Sequence, residues 1–103
     1  MRNLLDTSKI VETHPDLHEQ FYGLGAILAQ IIFRKRMEKN MTQQELAQKA
    51  GVGVKTISRV EGGSGNIEIK TYEKLFQALG LSNTEIGHII VEIEEKNKIN
   101  HYV

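Results

Sequence analysis

The chain is predicted to be all-α, a compact domain of five helices with an extension at each end. Three observations predict it: apolar residues recur at three- and four-residue steps, two capping boxes open helices, and glycine or asparagine follows each periodic run. At 103 residues with 40% apolar side chains, the chain has enough for one modest core and no more.

Pro15 beside Asp16 marks a boundary, and the expected organisation is an N-terminal extension over 1–16, a helical domain over 17–81, and a C-terminal helix and tail over 82–103. From Leu17 the residues Phe21, Leu24, Ile27, Leu28, Ile31 and Ile32 form one buried stripe, with Leu24 to Ile32 read as core, ending near Asn40. Gly23 and Gly25 weaken that helix and mark a break between the extension and the domain. Thr42-Gln43-Gln44-Glu45 is a capping box that opens a short helix to Ala50, stopped by Gly51. Val52-Gly53-Val54 turns the chain into a second short helix, Val54 to Glu61, with Ile57 and Val60 inward and Lys55, Thr56 and Arg59 outward. The stretch from Gly62 to Asn66 reads as a loop. Ile69, Tyr72, Leu75, Phe76 and Leu79 give a fourth helix ended by Gly80. Ser82-Asn83-Thr84-Glu85 caps a fifth, whose Ile86, Ile89, Ile90 and Ile93 suit a core face and a dimer seam equally. The segment from Lys96 to Val103 is expected to fray.

Composition narrows the function. No cysteine is present, which excludes disulfides and thiolate metal sites and suits a reducing compartment. Neither a leader nor a membrane span is expected, because Asp6 interrupts the start and Gln30 the longest apolar run, so the protein is expected to be soluble and cytoplasmic. Net charge is zero, but from Arg34 to Arg59 there are seven basic residues against Glu38 and Glu45, leaving six basic and eleven acidic elsewhere. One basic segment on a neutral chain fits a protein that meets phosphates on one face. His14 and His18 lie four apart, yet Pro15 and Asp16 put His14 before any helix, so no metal site is expected. No nucleophile–base set and no catalytic carboxylate pair stand out, and neither an enzyme nor a cofactor is expected.

Two short helices joined by a glycine-containing turn, the second apolar on one side and polar on the other, are suited to the DNA major groove. Met41 to Gly63, MTQQELAQKAGVGVKTISRVEGG, resembles the Cro/repressor helix-turn-helix family (XRE type), the lambda repressor-like group. Thr42-Gln43, Glu45-Leu46-Ala47, Gly51-Val52, Thr56-Ile57-Ser58-Arg59 and Glu61 carry the resemblance, which extends over roughly residues 24 to 81. It implies a lambda repressor-like domain that binds double-stranded DNA as a homodimer on a pseudo-palindromic operator and acts as a repressor. By position it implies DNA contacts from Gln43, Gln44, Val54, Lys55, Thr56, Ser58, Arg59 and Asn66. Gln43 would hold a phosphate, Arg59 would read guanine O6 and N7, Lys55 guanine or a phosphate, and Val54 a thymine methyl. Arg36 and Glu61 would form a structural ion pair. Gly53 departs from the family's usual polar cap, and Val54 from its usual polar reader. The alternative that the resemblance allows is an antitoxin that binds a toxin through residues 1–23 or 84–103 while repressing its own operon. A protein-binding adaptor that leaves DNA alone is the third reading.

Overall fold

A computed structural model describes residues 23–63 and 66–102. Leu17, Phe21, His14 and His18 lie outside the described residues. Five helices follow in order: α1 Leu24–Glu38, α2 Gln43–Ala50, α3 Val54–Glu61, α4 Ile69–Ala78 and α5 Asn83–Tyr102. Each of the five expected helices is present, and the described residues hold no strand.

Local chemistry sets most of the boundaries. The last turn of α1 closes with Asn40 at a φ of 55°, where its amide donates to the Met37 carbonyl and the Met41 amide reaches back to Arg36. Asparagine tolerates this left-handed conformation, so α1 stops and the chain turns toward α2. At the end of α2 the same task falls to Gly51, at a φ of 72°, followed by a bond from the Val52 amide to the Ala47 carbonyl. Thr42 begins α2 with both bonds of a capping box: its hydroxyl accepts from the Glu45 amide at 3.0 Å, and the Glu45 carboxylate accepts from the Thr42 amide at 2.8 Å. Ser82 and Glu85 repeat the arrangement at the start of α5, at 3.1 and 3.2 Å.

The core is built from Ile27, Leu28, Ile31 and Ile32 of α1, Leu46 and Ala47 of α2, Ile57 and Val60 of α3, Leu75, Phe76 and Ala78 of α4 with Leu79, and Ile93 of α5. α2 packs on α3 and α4, while α1 packs on α3 and α5. Burying each Ile, Leu or Val in such a cluster contributes about 1.5–3 kcal/mol, so this shared core holds helices too short to be stable alone.

Two expectations need correction. Leu24, read as part of the buried stripe, is 61% exposed because it is the first residue of α1 and projects beyond the packed turns. The segment from Lys96, expected to fray, continues α5 as helix to Tyr102, with a Lys96–Glu92 pair at 3.7 Å along it. For α5 the structure places Ile93 in the core and packs Ile86, Ile89 and Ile90, half-buried, against it.

Candidate nucleic-acid interface

The interface is built around α3, a helix divided along its length. Ile57 and Val60 are completely or almost completely buried, whereas Val54, Lys55, Ser58 and Arg59 are exposed and Thr56 is half-buried. The division follows from spacing. Positions 57 and 60 lie three apart and share one side, and 55 and 59 lie four apart on the other. Gly53 supplies no side-chain cap to α3. Backbone bonds from the Thr56 and Ile57 amides to the Gly53 carbonyl, at 3.0 and 3.3 Å, form its first turn.

At its C-terminal end α3 is anchored by an ion pair. Arg36 Nε donates to Glu61 Oε2 at 2.7 Å, and Nη2 donates to Oε1 at 2.9 Å, a fork-on-fork match of planar groups. Arg36 Nη1 donates to the Met41 carbonyl at 2.7 Å, in the link between α1 and α2, and the guanidinium carbon lies 5.5 Å from the centroid of the Phe33 ring. Both charged side chains are over nine-tenths enclosed. The hydrogen bonds to Glu61 raise the Arg36 pKa above its already high ordinary value, against the opposing effect of burial, so the guanidinium stays charged. One arginine thereby joins α1, the α1–α2 link and α3.

The same carboxylate extends the network. Gln43 Nε2 donates to Glu61 Oε1 at 3.0 Å, and Ser58 Oγ donates to Gln43 Oε1 at 3.1 Å. The network therefore runs Arg36, Glu61, Gln43, Ser58 across three helices. Lys55 and Arg59 are exposed on the outer face of α3, Gln44 is exposed on α2, and Asn66 is exposed beyond the loop. Phe33 and the Met41 carbonyl are the members that sequence reasoning missed. Phe33 was legible in principle, since it precedes Arg36 by three and shares its side of α1.

Placement also redistributes the basic segment. Arg36 is enclosed and committed to Glu61, so its charge is not offered to a phosphate. Lys35 pairs with Glu38 at 3.4 Å. Lys39 in the α1–α2 link, Lys49 on α2, and Lys55 and Arg59 on α3 are exposed.

Two consecutive helices joined through Gly51 to Gly53, the second fixed by its inner face with its outer face open to solvent, define a helix-turn-helix DNA-binding fold. The helix-turn-helix family matches residues 32–86, just over half of the chain, and the chain belongs to that family, in its Cro/repressor (XRE) type, whose members are DNA-binding transcriptional regulators. It is 38% identical over 53 residues to an uncharacterised HTH-type transcriptional regulator of Sinorhizobium fredii, a match over 52% of this chain and 69% of that protein. It is 41% identical over 49 residues to antitoxin HipB of Escherichia coli K12, over 48% of this chain and 56% of the antitoxin, and 41% identical to HipB of strain CFT073 over 52% of that protein. The chain thus spans about two thirds of the first relative and about half of each antitoxin. No solved structure matches it. Among the described residues, no helix is long and apolar enough to cross a membrane.

Proposed function

We propose that this protein is a transcriptional repressor that binds a pseudo-palindromic operator as a homodimer, with α3 in the major groove. The observation that carries the reading is the division of α3, buried at Ile57 and Val60 and exposed at Lys55 and Arg59. A helix held from behind and polar in front presents side chains to base edges without rearrangement of the fold. Arg59 reads guanine through its planar fork, Lys55 takes guanine or a phosphate, and Val54, 43% exposed, meets a thymine methyl. Thr56 lines the groove, while Gln43, Gln44, Ser58 and Asn66 lie along the sugar-phosphate backbone and set the register. Repression follows from occupancy of the operator.

Selection of bound sites from a random DNA pool tests this. The expected result is enrichment of a short motif repeated with two-fold symmetry, its half-sites about 34 Å apart centre to centre, as a symmetric dimer requires. Recovery of no motif, or no retention on duplex DNA at low salt, would reject the reading.

A second reading is favoured by one observation, the 41% identity to antitoxin HipB. In it the protein represses its own operon and also binds a toxin through residues 1–23 or 84–103. Co-purification with a toxin encoded beside its gene, in a complex that still binds DNA, distinguishes the two.

A further inference from the structure

We propose that Ser58 is a positioning residue, which orients the carboxamide of Gln43 so that this side chain meets a DNA phosphate as a donor. This deepens the repressor reading and rests on it.

The argument begins at Glu61. Both of its oxygens accept from Arg36, so the end of the Gln43 amide that faces it is the donor nitrogen. The opposite end, the oxygen, then faces Ser58, whose hydroxyl donates to it at 3.1 Å while Nε2 donates to Glu61 at 3.0 Å. Both ends of the amide are held, and a 180° flip would set the carbonyl oxygen against the carboxylate. Glu61 cannot turn away, because Arg36 grips both of its oxygens at 2.7 and 2.9 Å. Nε2 carries two hydrogens, and Glu61 uses one. The second has no protein partner among the described residues, and Gln43 keeps part of its surface in solvent. A group held with a spare N–H at a helix N-terminus suits a phosphate oxygen, since the first-turn amides of α2 add their partial positive charge there. Ser58 achieves this from α3, so the reading helix also prepares the phosphate contact of the bracing helix. Its own hydroxyl hydrogen is committed to Gln43, which separates its role from direct base readout.

The experiment is a double-mutant cycle on the full chain. Binding is measured against a duplex recovered from the random pool and against a mixed-sequence duplex, across a salt series. Ser58→Ala is expected to weaken binding about three- to tenfold on both duplexes, the magnitude of one hydrogen bond, with the salt slope unchanged because no charge is altered. Gln43→Ala should weaken it at least as much, Ser58→Ala should add nothing in the Gln43→Ala background, and Ser58→Thr should restore binding. Additive losses, or a Ser58→Ala loss confined to the selected duplex, would overturn the positioning role. Thermal melting of each variant accompanies the titrations, and the cycle is read at temperatures where all are folded. Failure of the wild-type chain to bind either duplex would reject the repressor reading itself, an outcome distinct from additivity.

Discussion

α2 and α3 are both eight residues long and lie side by side, yet they are secured by different means. Four residues of its own sequence, Thr42 to Glu45, cap α2, and Gly51 in the left-handed conformation closes it. At the start of α3 stands Gly53 with no side-chain bond, and at its end Glu61 is held by Arg36 from a helix 25 residues earlier in the chain. The bracing helix is thus closed at both ends by its own sequence, whereas the reading helix, though its bounds are local, is anchored by a residue of α1. A reading helix secured from behind by its buried face and by Glu61 presents an exposed outer face, which is what a DNA-reading surface needs.

The contrast is broken most severely at Arg36. Arg36→Ala leaves the Glu61 carboxylate enclosed without its cation and should destabilise the fold by about 3–5 kcal/mol, read as a lower midpoint in urea. An unchanged midpoint would show that α3 does not depend on the pair. Arg59→Ala is expected to act on recognition, with a loss of about 1–3 kcal/mol on a selected site that is smaller on random DNA. Equal losses on both would mean that Arg59 grips phosphate rather than a base.

Thr42→Ala removes the local cap of α2 and should cost about 1 kcal/mol of stability. The same box predicts an acid response. Bonds from the Thr42 amide and hydroxyl region hold the Glu45 pKa below its ordinary value of 4.5, so the ionised form is favoured in the folded state. Its stabilisation is complete above that ordinary value and is lost as pH falls through the lowered folded value; Glu85, held by Ser82, behaves likewise. Urea midpoints between pH 6 and 3 should therefore fall less in Glu45→Gln than in the wild type. The smallest effect is expected at Gly53. Serine there adds the missing cap in an extended conformation (φ −75°, ψ 151°) where a Cβ meets nothing closer than Thr56 Oγ1 at 3.9 Å, for a gain of a few tenths of a kcal/mol. A loss would show that the added side chain disturbs the turn.

Much of the interface was legible because its determinants are short-range. The bounds of α3 at Val54 and Glu61 follow from the glycines on either side, and its two faces follow from three- and four-residue spacing. The roles within the network were less legible. Gln43 read by position as a phosphate contact and Ser58 as part of the DNA-facing set, and nothing in their spacing announces the bonds that join them to each other and to Glu61.

Helix number, capping and turn placement were determined by the sequence alone, since a hydroxyl three residues before a glutamate, or a glycine after a periodic run, acts within one turn of backbone. Only the tertiary structure decided that Ile93 joins the core, that Leu24 stays outside it, and how deeply the Arg36–Glu61 pair implied by the resemblance is enclosed. Those outcomes depend on which surfaces of distant helices meet, and burial of a charge is settled by whether its partner arrives in the same place.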